Sequence, residues 1–140
     1  MTFVFQACSN DPSHTNSQNA TPDTSQADSL FKDVMNIHDE AMAKMGTLHQ
    51  LKKELEAMKS TSSVPHDSID SLIMKIERAD EGMFDWMGNF KDPRTASDQK
   101  RIIDALHLEL EKVQIVANDI DAAINEATQL IEKEQLIEKE

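Results

Sequence analysis

Residues 103–131 read IDALHLELEKVQIVANDIDAAINEATQLI, and this stretch decides the fold. Its apolar residues recur in alternating steps of three and four, the heptad spacing of a helix that packs lengthwise against partner helices. The members of the series are Ile103, Leu106, Leu110, Val113, Ala117, Ile120, Ile124, Ala127 and Ile131. We therefore expect a third helix over about residues 95–134, with coiled-coil-like packing.

Two earlier segments show the same helical periodicity. The first, over residues 28–59, places these apolar residues on one face: Val34, Ile37, Ala41, Leu48, Leu51, Leu55 and Met58. The second, over residues 67–90, does so with Ile69, Leu72, Ile76, Ala79, Met83, Trp86 and Phe90. Both segments are therefore predicted to be amphipathic helices with one apolar face directed to a shared core.

Short breaks separate the three segments. Residues 60–65 combine a Ser/Thr cluster with Pro65, and residues 89–93 end on Pro93. Short connections favour antiparallel neighbours, so we predict an all-α, antiparallel three-helix bundle over residues 28–135. Because the second helix is the shortest, we expect the third to overhang it through Ile124, Ala127 and Ile131. Residues 136–140 are predicted to be a frayed tail.

The charge balance and the motifs narrow the function class. The chain has 26 acidic and 14 basic residues, a formal charge of −12. Nucleic acid and anionic lipid both require Lys and Arg, so neither is an expected partner. The sequence has no glycine-rich phosphate loop, no HExxH and no nucleophile elbow, and we expect a non-enzymatic protein. The single cysteine, Cys8, precludes an intramolecular disulfide.

The N-terminus carries a second kind of signal. Residues 1–8 read MTFVFQAC and resemble the end of a bacterial lipoprotein signal peptide, in which the cysteine becomes lipidated. Residues 9–27 are almost entirely polar, which predicts a disordered tether. The resemblance implies a palmitate-bearing anchor at Cys8, membrane attachment through it, and an envelope location facing the periplasm or the cell surface. The apolar run is shorter than a full signal peptide, which suggests a start upstream of Met1. If Met1 is the true start, a cytoplasmic location is the alternative.

A longer resemblance covers roughly residues 30–90. Its motifs are MNIHDEAMAKMG at residues 35–46, LKKEL at residues 51–55 and MFDWM at residues 83–87. They resemble a family of small uncharacterised Gram-negative lipoproteins, some of which are labelled "viral A-type inclusion protein". The resemblance implies a lipidated helical domain, and it brings no known activity.

A stripe of methionine and histidine lies beside the apolar face of the first helix. Three- and four-residue steps place these side chains on one ridge: His38, Met42, Met45 and His49. Antiparallel pairing with the second helix would bring Met83 and Met87 to the same level. Thioethers and imidazoles suit Cu(I), so these six residues form a candidate soft-metal site. The alternative is that the methionines fill irregular gaps in the core and bind no cofactor.

Two functions follow as hypotheses. The first is a structural or protein-interaction role in the bacterial envelope, with a protein partner or a second copy bound through the third helix. The second is a periplasmic Cu(I)-binding protein that uses the Met/His stripe.

Overall fold

A computed structural model describes residues 22–137 and Lys139, and this part of the chain is all-α, without a strand. Its elements are α1 (Pro22–Thr61), α2 (His66–Asn89), a 3-10 turn (Pro93–Thr95) and α3 (Gln99–Ile137). The three α-helices all pack against one another. Cys8, the predicted tether as far as residue 21, and residues 138 and 140 of the predicted tail lie outside the described residues.

The first helix begins at Pro22 rather than near Asp28, so residues 22–27 belong to the helix and not to a tether. Proline is tolerated in a first helical turn because its missing N–H would have no partner there, and Asp23 complements the helix dipole. Tertiary contact supplies the rest of the reason. Ala27 and Leu30 are buried against Ile102 of α3, so the additional turns cover apolar surface.

The second and third helices differ less from expectation. α2 lies within one residue of its predicted bounds at each end. α3 starts four residues late because Pro93–Thr95 forms a separate 3-10 turn. The side chain of Asp98 then accepts a hydrogen bond from the Arg101 N–H, which satisfies one free donor of the new helix. At the other end α3 continues to Ile137, through the first two residues of the predicted tail.

One main core runs between the three helices. Its fully buried members include Val34, Leu48, Leu55, Ile69, Ile76, Met83, Val113 and Ile120. Most apolar positions of the predicted α3 series are buried, with three differences: Ile102 is buried in place of Ile103, Leu110 is half-buried, and Ala123 is buried beside a half-buried Ile124. The periodicity of each segment therefore predicts the faces that form this core.

The expected overhang of α3 at its C-terminal end is wrong. Ala127 and Ile131 belong to the three-helix core, and Lys75 of α2 pairs with Glu126. Two turns later, Glu134 accepts hydrogen bonds from the backbone N–H and the hydroxyl of Ser63, at 3.1 and 3.4 Å, in the loop before α2. The C-terminal end of α3 is therefore level with the first loop.

The end of α3 that extends past α2 is the N-terminal one. A second, smaller core joins Ala27 and Leu30 of α1 to Ile102 and Leu106 of α3, without a residue of α2. The segment between α2 and α3 crosses the bundle end here, which lets α3 begin beyond the last turn of α2. The bundle thus has a three-helix body and a two-helix end.

Candidate functional site

The surface seam between α1 and α2 holds most of the residues singled out in the sequence. Starting from the loop, three cross-helix polar contacts follow one another: the ion pairs Lys59–Asp70 and Lys52–Glu77, and then a His49–Asp80 hydrogen bond. The last two span 2.7 Å each, between Lys52 Nζ and Glu77 Oε1 and between His49 Nε2 and Asp80 Oδ1. We call this stretch the polar half of the seam.

Past His49 and Asp80, towards the C-terminal end of α2, apolar side chains line the seam. We call this stretch the apolar half. Phe84 lies one turn beyond Asp80 on the same side of α2, and Met87 follows three residues later. On α1 the matching turn carries Met45, which is buried, and Met42, which is half-buried against the core. Phe84 is 52% exposed and Met87 40% exposed, so much of this apolar surface faces solvent.

A row of aromatic rings closes the apolar half. The ring of His38 lies 5.6 Å from that of Trp86, Trp86 lies 5.0 Å from Phe90, and Phe90 lies 6.3 Å from Phe31. These spacings are those of favourable tilted aromatic pairs. The indole Nε1–H of Trp86 also donates a hydrogen bond to Glu109 Oε2 of α3, at 3.1 Å. Trp86 is therefore held by two helices besides its own.

An arginine completes this row of rings at the bundle end. The guanidinium carbon of Arg94 lies 3.4 Å from the centre of the Phe31 ring, a cation–π contact. Arg94 also donates hydrogen bonds to Asp92 and to Asp28 of α1. The side-chain hydrogen bond from Arg94 lowers the pKa of Asp92, and the same bond raises the pKa of Arg94. The connection before α3 is thus fastened to α1 by stacking and by charge.

The six residues of the candidate metal site lie in different surroundings. Met45 and Met83 are buried in the main core, whereas Met87 is exposed. His49 pairs with Asp80 at the surface. In the described part of the chain, no group of three or more His, Cys, Asp or Glu residues could hold a metal ion.

The two remaining residues of that set, His38 and Met42, line the apolar half. Met42 is half-buried against the core, and His38 Nδ1 lies 2.9 Å from Asp39 Oδ1 while its ring stacks on Trp86. The imidazoles of His38 and His49 therefore have separate partners, at opposite ends of the apolar half.

Carboxylates outnumber basic side chains around the apolar half. Between Ala79 and Phe90, α2 carries Asp80, Glu81 and Asp85 and has no Lys or Arg. Glu81 and Asp85 are exposed, and neither forms an ion pair within residues 22–137. On α1 the exposed Asp39 stands beside His38. Lys44 of α1 pairs with Asp121 of α3 on another side of the helix, and the exposed Lys32 and Lys91 lie at the far end of this half, about one turn from Met35 and from Met87.

We define the Met/Phe patch as Met35, Met42, Phe84 and Met87. Met35 is half-buried and lies two turns before Met42 on the same face of α1. The sequence pattern did not single out Phe84, because periodicity identifies residues that face the core and Phe84 lies off that face. The sequence does place Phe84 four residues after Asp80, on the same side of α2. That spacing locates Phe84 at the seam only when Asp80 is known to contact His49 of α1.

Comparisons with known proteins leave the site without a relative: no family model, curated protein or solved structure matches the chain. Among the described residues, no helix is long and apolar enough to cross a membrane. The function proposed for the chain therefore rests on its sequence, with the resemblance noted above, and on the geometry of its described residues.

Proposed function

We propose that this chain is a non-enzymatic, lipid-tethered acidic helical bundle of the bacterial cell envelope, with the role of binding another protein. The observation that carries the interaction role is the exposed apolar half of the seam. Phe84 and Met87 are large apolar side chains held at the surface of an otherwise acidic bundle. Contiguous exposed apolar surface with a polar rim is typical of protein-interaction sites.

The envelope location rests on the N-terminal sequence. Ala7 precedes Cys8 after an apolar run, and residues 9–21 supply a polar spacer without Lys or Arg. The resemblance to small Gram-negative lipoproteins supports the same location. A lipid at Cys8 would keep the bundle near a membrane surface while the spacer leaves its faces accessible to a partner.

The tether is tested by labelling the full-length precursor, with its native upstream sequence, in cells supplied with labelled palmitate. We expect label on the protein in the membrane fraction, and loss of that label in the Cys8→Ser form. The Cys8→Ser form also serves as the control for non-specific labelling. Unlabelled wild-type protein found wholly in the cytosol would contradict the envelope location and leave the cytoplasmic alternative.

We infer an antiparallel arrangement of successive helices for the bundle. Two contacts support it: as the position on α1 rises from His49 to Lys59, its partner on α2 falls from Asp80 to Asp70. The buried residues of α3 recur at steps of three or four residues from Val113 to Ile131, which supports coiled-coil-like packing. A protein with Lys52→Cys and Glu77→Cys in a Cys8→Ser background should cross-link with a short bismaleimide. The pair Lys52→Cys and His66→Cys is the matched control, and equal cross-linking of both pairs would refute the arrangement.

A further inference from the structure

We propose that the Met/Phe patch docks a basic amphipathic helix of a partner protein. This inference rests on the proposed interaction role and deepens it by naming the chemical class of the partner. Met35 and Met42 on α1 and Met87 on α2 add thioether side chains to the patch beside Phe84, and such side chains are unbranched and polarizable. Such side chains adapt to differently shaped apolar partners, as in proteins that bind amphipathic helices.

The charges around the patch favour a partner whose contacting surface is positively charged. Glu81 and Asp85 have no ion-pair partner within the described bundle, and Asp39 is exposed on the facing helix. A helix with Lys or Arg flanking its apolar face would place cations next to these carboxylates. Complementary rim charges raise the association rate and reject partners of the wrong sign.

The shape of the surface favours a helix as the occupant. The patch lies along the groove between α1 and α2, and it spans two turns of α1, from Met35 to Met42. An amphipathic helix presents apolar anchors at spacings of three, four and seven residues, which match such a groove. The His49–Asp80 hydrogen bond bounds the apolar part of the groove towards the loop, and the ring pair of His38 and Trp86 lies at the other end.

Two other occupants fit the charge less well. A second copy of the chain would bring the same acidic rim against itself, because a two-fold interface pairs a surface with itself. The N-terminal residues of the chain itself, 1–21, contain no Lys or Arg and so offer no cation to the rim. A basic partner is the occupant that both the apolar patch and its rim accept.

The test uses a synthetic 18-residue peptide with Leu on one helical face and Lys and Arg on the other, titrated into the full chain. Binding is followed by calorimetry and by the fluorescence of Trp86, the only tryptophan and a neighbour of Met87. A peptide with the same Leu face and Glu in place of each Lys and Arg is the charge control. We expect saturable binding of the basic peptide, at one site, and none of the acidic peptide.

Matched variants locate the site. Phe84→Gln and Met87→Gln, combined, should weaken binding about tenfold or more, since buried apolar anchors dominate such interfaces. The control is Leu108→Gln with Ile115→Gln, which removes side chains of similar exposure, 54% and 61%, from the outer face of α3. This control should bind as wild type does. The first pair changes side chains that are exposed already, and circular dichroism verifies that each variant is folded.

The rim has its own variants. Glu81→Gln with Asp85→Asn should weaken binding and flatten its dependence on salt, because two screened attractions are removed. Equal weakening by the α3 control pair, or binding of both peptides alike, would overturn the proposal. A loss of mass in light scattering on Phe84→Gln, without peptide, would assign the patch to self-association instead and so refute it. None of these results depends on Cys8, so failure of the palmitate test leaves the docking result independent.

Discussion

The polar and apolar halves of the seam between α1 and α2 hold the same two helices together through different kinds of contact. The polar half joins the helices through two ion pairs, Lys59–Asp70 and Lys52–Glu77, and a His49–Asp80 hydrogen bond, all between partly solvated side chains. The apolar half joins them through Met45, Trp86 and the stacked ring of His38. Solvated ion pairs contribute about 0–1 kcal/mol each, whereas burying one large apolar side chain contributes about 1.5–3 kcal/mol.

The two halves therefore contribute differently: the polar half pairs specific residues across the helices, and the apolar half contributes more to the free energy of unfolding. The contacts of the polar half place His49, Lys52 and Lys59 opposite Asp80, Glu77 and Asp70, and they leave little apolar surface for a partner. The apolar half holds the helices together more strongly and leaves Phe84 and Met87 exposed at its edge. The apolar half thus contains both the strongly stabilising buried residues and the exposed apolar surface. Substitutions of buried and of exposed residues there can distinguish these two contributions.

The largest effect should come from Trp86→Ala. Trp86 is 8% exposed and packs on His38 and Phe90, so its removal leaves a cavity. We expect the free energy of unfolding to fall by about 3–5 kcal/mol, the usual cost of truncating a buried aromatic residue. Urea denaturation followed by circular dichroism measures it. Phe84→Ala, two residues away and half exposed, should change the same quantity by less than about 1 kcal/mol; equal losses would erase the contrast between core and patch.

A smaller effect is expected from Met42→Leu combined with Met45→Leu. Volume-conserving apolar swaps cost less than about 1.5 kcal/mol each when a methionine only fills space. The same variants test the Cu(I) hypothesis for His38, Met42, Met45, His49, Met83 and Met87. Anaerobic competition with a colorimetric Cu(I) chelator measures metal uptake by wild type and by the variant. Wild-type uptake that the swaps abolish would favour the metal site, and a wild type that cannot compete with a weak chelator would eliminate it.

The polar half should respond less than either. A double-mutant cycle on Lys52→Ala and Glu77→Ala should give a coupling free energy much smaller than the loss from Trp86→Ala, because both side chains are partly solvated. Repeating the cycle at high salt should reduce the coupling further, since mobile ions screen exposed charges. A coupling as large as the loss from Trp86→Ala would show that the polar half also stabilises the bundle.

The smallest effect concerns pH at the bundle end, where Arg94 lowers the pKa of Asp92. A carboxyl with a lowered pKa in the folded state stabilises the fold above its ordinary pKa of about 3.9 and loses this contribution as pH falls through the folded value. Asp92→Asn should therefore be less stable than wild type near neutral pH, and the gap should narrow in acid. Urea denaturation midpoints of wild type and Asp92→Asn, measured near neutral pH and in acid, give this difference in stability. A constant gap would mean that the Asp92 charge contributes nothing.

The sequence predicted those parts of the fold that depend on one helix at a time. The spacing of Leu48, Leu55, Ile76 and Ile120 identifies buried positions, because a helix must turn one stripe towards the core. The start at Pro22 could not be predicted this way. Residues 22–26 have no large apolar side chain, and the partners that cover Ala27 and Leu30 lie more than 70 residues away in the sequence.

The site was predictable only in part for a related reason. Steps of three and four place His38, Met42, Met45 and His49 along one ridge, but they do not reveal what each residue meets on the next helix. Asp80 pairs with His49 and Trp86 stacks on His38, and both are contacts across the hairpin. Phe84 became visible as a site residue only through such a cross-helix contact.

The hydrogen bonds between Glu134 and Ser63 join residues 71 positions apart in the chain. At about 5–20 residues per second of synthesis, roughly 4–14 s separate the appearance of the two residues. During that interval α1 and α2 can already form a hairpin, but the groove that α3 later fills, with Leu48 and Ile76 at its floor, remains open to other molecules. Until α3 is synthesised, the apolar faces of α1 and α2 that it covers therefore stay exposed for seconds, a period in which incompletely folded chains are prone to aggregate.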